Sequence, residues 1–397
     1  MNTFEVFKLY PIAIESAKGL ELTDTEGKKY LDLYGGHGVI SIGHSQPDYV
    51  KRIIEQIQKI GFYSNSVRIP FQEELAQKLQ IISGYSDYKL FLVNSGAEAN
   101  ENALKLASFY TNRSKVIAFR KAFHGRTSLA VAVTDSPAIQ APINKTDNVL
   151  WAELNDIESV KKVMDGDVAA VIIEGIQGVG GVKIPTTEFL TQLRELCTKN
   201  GSLLIIDEIQ SGYGRTGKFF AHQHSGVKAD IISLAKGIAN GFPVGAIMIN
   251  PAIPAKFGML GTTFGGNHLG CAAALATVEV MLKNNYVENA AKMGDYIFGK
   301  LKGHKAIKDL RGKGLMVGIE TFGNASEIRD RLLFDEHIFT GFSGGVNTIR
   351  LIPPLCITEK EIDRFVEAFD KVTKYFMLID CRDAINRVST FLYTHLL

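Results

Sequence analysis

Leu203-Leu204-Ile205-Ile206-Asp207-Glu208-Ile209-Gln210 is a short apolar run that stops at two acids. A run of this length after Gly201 reads as a strand buried on both faces, with an ionisable group where the strand ends. A second run of the same kind, Ile231-Ile232-Ser233-Leu234, leads into Ala235-Lys236-Gly237. In open parallel α/β sheets ligands sit at the carboxyl ends of the strands, so Asp207 and Lys236 are expected to face one pocket.

Taken singly, each residue has an ordinary reading. An Asp after an apolar run starts a turn or caps a helix, and a Lys before Gly marks a solvated loop. Together, a buried amine and a buried acid suit pyridoxal phosphate. The amine forms a Schiff base with it, and the acid keeps the pyridine nitrogen protonated so that the ring can accept electrons. A third segment fits the same ligand. Val93-Asn94-Ser95-Gly96-Ala97-Glu98-Ala99-Asn100-Glu101 places a turn of small residues before a helix. Unpaired N–H groups and the positive end of the dipole suit a phosphate there, although Ser95 alone would serve as a plain N-cap.

Other chemistries fit less well. The chain has 46% hydrophobic residues and a net charge of +2 over 397 residues, which gives no reason to expect nucleic acid or an acidic surface as partner. Cys197, Cys271, Cys356 and Cys381 lack C-x-x-C spacing, which suits a reducing compartment and argues against a zinc cage. His37, His44 and His222-x-His224 have no metal-ligand spacing, and the last pair is expected on a loop. The glycines of Gly175-Ile176-Gln177-Gly178-Val179-Gly180-Gly181 lack the G-x-G-x-x-G order of a dinucleotide site. No apolar run approaches the roughly 18 residues that span a bilayer, and the N-terminus has no basic-then-apolar leader. A cytoplasmic location is expected.

No repeat or low-complexity linker divides the chain. Residues 20–34 read as a hairpin about Asp24-Thr25-Glu26-Gly27. From 46 to 280 helices alternate with strands: helices at 71–82 and 97–110, strands at 115–119, 169–173, 202–206 and 230–234. That alternation predicts a large doubly wound, mostly parallel sheet domain. From 281 to 397 the pattern becomes helix, strand pair and helix, with helices at 286–302 and 358–377 and strands at 315–320 and 347–351. A smaller α+β domain is expected there, with residues 1–45 packed on it.

Asp207 to Gly217, reading D-E-I-Q-S-G-Y-G-R-T-G, resembles a segment of class III (subgroup II) pyridoxal-phosphate aminotransferases. Leu234-Ala235-Lys236-Gly237 and the later Gly241-Phe242-Pro243-Val244-Gly245-Ala246 resemble that family's lysine segment. The likeness runs over about residues 10–375. It is closest to the acetylornithine/succinylornithine branch, through Gly43-His44-Ser45-Gln46-Pro47, Tyr63-Ser64-Asn65 and Ile349-Arg350-Leu351-Ile352-Pro353-Pro354-Leu355. Sister ornithine and 4-aminobutyrate enzymes, and aminomutases on the same scaffold, are the alternative activities.

The resemblance implies a fold-type I transferase that acts as a homodimer with shared active sites. It moves the terminal amine of an N2-acylornithine to 2-oxoglutarate in arginine biosynthesis. Lys236 would carry the cofactor and act as general base and acid, and Asp207 would hold its ring nitrogen. Gln210 would touch the ring's phenolic oxygen. Ser95, Gly96 and Ala97 would bind the phosphate, and Phe123 of Ala122-Phe123-His124-Gly125-Arg126-Thr127 would stack on the ring. In Gly261-Thr262-Thr263-Phe264-Gly265-Gly266-Asn267, Thr263 would reach the partner subunit's phosphate. Arg126, Thr262, Arg350, His37 and Tyr63 would face the substrate; no metal is implied.

Two positions depart from the family pattern. Val179 replaces the acid of its E-P-I-Q-G-E-G-G loop, and His37 stands where relatives carry an aliphatic residue or Tyr. Both bear on substrate choice. The stretch 376–397 matches nothing in the family and is expected to add a helix at an interface.

Overall fold

The computed structural model describes residues 3–374; the expected helix in 376–397 lies outside the described residues. Seven strands form the large sheet. In spatial order they are Lys89–Val93, Gly245–Ile249, Ile231–Leu234, Leu203–Asp207, Val168–Glu174, Lys115–Phe119 and Val149–Ala152. All pairings are parallel except those of Gly245–Ile249, which runs antiparallel to both neighbours.

The central strands are apolar throughout because both faces are covered. Every residue of Val168–Glu174, Leu203–Asp207 and Ile231–Leu234 is buried. Alternate residues supply opposite cores: Val171, Ile173, Leu204 and Ile206 pack into one, Ala170, Ile172, Leu203 and Ile205 into the other. Helix Gly96–Thr111 starts with Ser95 as N-cap, whose hydroxyl accepts from Glu98 N at 3.2 Å, and ends at Asn112 with φ 56°.

The hairpin near the N-terminus pairs Glu21–Asp24 with Lys29–Asp32, and Ile14–Lys18 adds a further strand. The short strand Ile338–Phe339 pairs in parallel with Lys29–Asp32, tying the two ends of the chain into one sheet. A third sheet holds Ile307–Lys313, Met316–Thr321, Thr348–Leu351 and Gly341–Ser343. Residues 359–374 are helical.

Candidate active site

Parallel pairing brings the ends of three strands to one place. Glu174 lies opposite Asp207 in register, and Asp207 lies opposite Ser233. Beyond Leu234 the chain turns through the 3-10 segment Lys236–Ala239. The antiparallel strand sets Gly245 opposite Val93, which delivers the Asn94–Gly96 turn to the same edge. The result is a cavity of about 280 Å³ lined by Ser95, Gly96, Ala97, Phe123, Asp207, Gln210 and Lys236, among others.

Asp207 is buried and fully engaged. Its Oδ2 accepts from Asn100 Nδ2 at 2.8 Å and lies 2.8 Å from His124 Nδ1, while Oδ1 accepts from Ile209 N at 2.9 Å. Asn100 Oδ1 and His124 Nε2 are buried without a partner beside it. Lys236 Nζ makes no hydrogen bond or ion pair with any described residue, and its backbone is left-handed at φ 47°. Such a conformation costs about 1–3 kcal/mol and persists where the surroundings impose it. Desolvation lowers the amine's pKa; Asp207 and Glu174 oppose the shift, and Arg350 adds to it. Burial thus favours a neutral, nucleophilic amine.

Opposite this floor, the first-turn N–H groups of Gly96 and Ala97 have no carbonyl one turn back to bond. Gly96 packs on Ile209, whose methyl would stand 2.9 Å from a Cβ there. An anion-binding helix end, an aromatic wall at Phe123, a buried carboxylate and an unpaired amine together fit pyridoxal phosphate.

A second cluster lies beside the cleft, joined to it through Gln210, which lines the cavity. Gly35, Gly36, His37 and Gly38 all have positive φ, a left-handed turn that needs glycine around the single side chain. His37 O accepts from Gln210 Nε2 at 2.9 Å, and the His37 ring sits 4.8 Å from that of Tyr34. Desolvation, then the charges of Lys236 and Arg350, lower the His37 pKa.

Arg350 is buried. It gives Nη1 to Gln210 Oε1 at 3.4 Å and Nη2 to Phe342 O at 3.3 Å, and its Nε has no partner. Among the described residues no carboxylate lies within 4.0 Å of it; where the family loop carries an acid, Val179 lines the cavity, 46% exposed. A guanidinium buried with weak neutral contacts is ready for a planar carboxylate.

His37 and Arg350 lie next to the cavity without lining it, and the remaining sequence candidates lie farther out on the chain. Arg126 is exposed just past Gly125, and Tyr63 and Thr263 are exposed. Thr262 accepts from Gly265 N at 3.0 Å and lines a separate cavity of about 460 Å³ with Asn65 and Gln72. His222, expected on a loop, is buried in the 3-10 turn Ala221–His224, with Nδ1 2.7 Å from Glu208 and Nε2 2.6 Å from Tyr85. The apolar packing of Phe219 and Phe220 draws that turn inward.

Sequence reading passed over Glu174, His124 and Asn100. A signal for Glu174 was present: it ends an apolar run as Asp207 does. Its carboxylate is pushed up to about 7, first by burial and also by Asp207, against the pull of His124.

The chain matches the family described as Aminotransferase class-III over residues 5–373. It is 42% identical to an acetylornithine aminotransferase of Archaeoglobus fulgidus, covering 92% of this chain and 96% of that protein. The acetylornithine aminotransferase of Methanothermobacter thermautotrophicus is 39% identical, with 93% and 95% covered. Among solved structures, an ornithine aminotransferase from Toxoplasma gondii with PLP partially occupying its active site superposes with a TM-score of 0.85 at 29% identity, over 94% of this chain and 93% of that one.

Proposed function

Because the chain belongs to the class-III aminotransferase family, and so is a pyridoxal-phosphate-dependent aminotransferase, we propose that its amine donor is an N2-acylornithine. The terminal amine passes to 2-oxoglutarate, giving the semialdehyde and glutamate, as a step of arginine biosynthesis. The likeness to acetylornithine aminotransferases along nearly the whole chain carries this reading.

Pyridoxal phosphate, when bound, supplies an electron sink for the carbon that loses its proton. The protein's residues do the rest. Gly96 and Ala97 N–H groups and the Ser95 hydroxyl hold the phosphate at the helix end. Phe123 covers one face of the ring, and Asp207, oriented by Asn100 and His124, holds a proton at the ring nitrogen. Lys236 Nζ would hold the cofactor and, within each half-reaction, take up and give back the proton at the reacting carbon as general base and acid. Arg350 receives the α-carboxylate of glutamate or 2-oxoglutarate, with Gln210 and His37 fixing its approach.

A homodimer completes the site, with Thr263 reaching the partner's phosphate; the exposed position of Thr263 supports this. We read 46–280 as the cofactor domain, and 1–45 with 281–397 as the smaller one, of which 1–2 and 375–397 lie outside the described residues. The cytoplasmic assignment rests on Cys197, Cys271 and Cys356 being free. Among the described residues no helix is long and apolar enough to cross a membrane.

A panel of acetylornithine, succinylornithine, ornithine and 4-aminobutyrate tests the donor, read as conversion of the bound cofactor to its amine form. The expected order has an N2-acylornithine fastest. Equal rates with ornithine or 4-aminobutyrate would overturn the acyl assignment, and turnover without any 2-oxo acid would indicate an aminomutase.

A further inference from the structure

Glu174 ends its strand beside Asp207 but takes no part in holding Asp207, Asn100 or His124. Its two oxygens point to different walls of the cleft. Oε1 accepts from Phe123 N at 3.0 Å, and Oε2 accepts from Gly178 N at 2.9 Å. Phe123 belongs to the wall that faces the cofactor ring. Gly178 precedes Val179, which lines the same cavity and on the aminotransferase reading faces the substrate. The second wall is also held next to Gly178 by Gln177, which pairs with Lys183 through the backbone and gives Nε2 to Arg120 O at 2.9 Å, but the Gly178 N–H itself goes to Glu174. Gly178 and Gly180 leave no room for side chains against Gln210 and Lys121, so the turn is positioned through its backbone. Arg311 fixes the far end by donating Nε to Gly181 O at 2.7 Å.

We propose that Glu174 is a positioning residue for the transamination: by gripping the Phe123 and Gly178 amides together, it sets the spacing between the ring-facing wall and the substrate-facing wall. This rests on the aminotransferase reading, but the grip is a property of the folded chain and can be measured without turnover.

The grip responds to pH. The groups that face Glu174 are His124 on the turn after Phe119, Asp207 and Glu208 at the end of Leu203–Asp207, Lys236 beyond Leu234, and Arg350 on Thr348–Leu351. With its carboxyl titrating at about 7, the anion that grips both amides forms only as pH rises through that value. Global stability moves the other way. A folded-state value above the ordinary carboxylate value gives a contribution that is largest in acid and is lost as pH rises through about 7. Local tightening against global loosening is the signature of the clamp.

Amide hydrogen exchange on the full chain, with and without pyridoxal phosphate, reads the grip directly. Peptides covering 120–126 and 175–181 are compared with a control peptide from the Leu203–Asp207 strand, after correction for intrinsic rates. In the wild type, protection of the two cleft segments should rise through about pH 7 while the control does not. Glu174→Gln can accept at only one atom and sets an NH2 against the other N–H. It should expose at least one of the two segments about tenfold, remove the pH step, and raise the amine donor's KM more than it lowers kcat. Glu174→Asp, which keeps the charge, should retain a pH step. Should the Gln variant fail to fold, the wild-type pH series decides alone. A flat wild-type profile at both segments, or wild-type exchange in a folded Gln variant, overturns the proposal. Loss of activity on acylornithines with the exchange pattern intact would instead count against the donor assignment.

Discussion

Arg350 shows what one residue contributes when its neighbours leave it short of partners. Its guanidinium is buried, its contacts to Gln210 and Phe342 are long, its Cζ lies 6.0 Å from the centre of the Tyr34 ring, and Nε has no partner. Desolvation lowers its pKa, yet an arginine keeps its charge at neutral pH. A buried cation so placed is suited to a carboxylate ligand. On the proposed reading, Val179 stands where an acid would mask it, so Arg350 is expected to stay available through both half-reactions. Arg350→Ala is therefore expected to cost on the order of 2–5 kcal/mol in the glutamate/2-oxoglutarate half and much less in the acylornithine half. Single-turnover rates for each half measure this, and equal losses would make Arg350 a structural residue. At this scale the sequence was legible where one segment carries both partners: the Ser95–Ala97 turn, or Asp207 within D-E-I-Q. It was not legible where the meaning lies in an encounter. Nothing local to Glu174 says that its oxygens meet the amides of Phe123 and Gly178.

The elements tell the same story through packing. Strands buried on both faces stand out as apolar runs, which is why 115–119, 169–173 and 202–206 agree with the structure to within a residue or so. Strand Ile307–Lys313 escapes such reading because Lys308, Asp309, Arg311 and Lys313 interrupt it and only part of it is covered. Gly245 belongs to the same scale. A Cβ there would run into the Ser95 carbonyl oxygen, a backbone atom that cannot swing away. The close approach seats the Ser95–Ala97 turn, proposed to bind the phosphate, on the sheet. Gly245→Ala should cost about 1–3 kcal/mol through overpacking and should weaken cofactor retention. Gly299 is the control: it is exposed on helix Tyr286–Leu301 with nothing within 4 Å of a Cβ, so Gly299→Ala should stabilise by about 0.5–1 kcal/mol. Thermal melts and equilibrium dialysis of the cofactor compare the two. A Gly245→Ala protein that melts and holds cofactor like the wild type would remove the argument.

For the whole molecule, the issue is whether one chain holds a complete site. Thr263 sits on an exposed loop away from the cavity, next to Phe264, which is 59% exposed and 5.4 Å from the ring of Phe62. Tyr63 is exposed beside them. Aromatic rings grouped on a surface mark a contact area, and a twofold dimer presents the same patch to both active sites. A hybrid experiment separates the two arrangements. One chain carries Lys236→Ala and keeps Thr263; the other carries Thr263→Ala and keeps Lys236. If Thr263 serves the neighbour, a hybrid dimer has one site lacking both groups and one site wholly intact. If Thr263 serves its own chain, each site in the hybrid lacks one group. Random mixing makes about half the dimers hybrids, so about a quarter of wild-type turnover should appear at limiting cofactor, where neither parent works well. No gain on mixing, or a fully active monomer in sedimentation, would mean that each chain carries its own complete site.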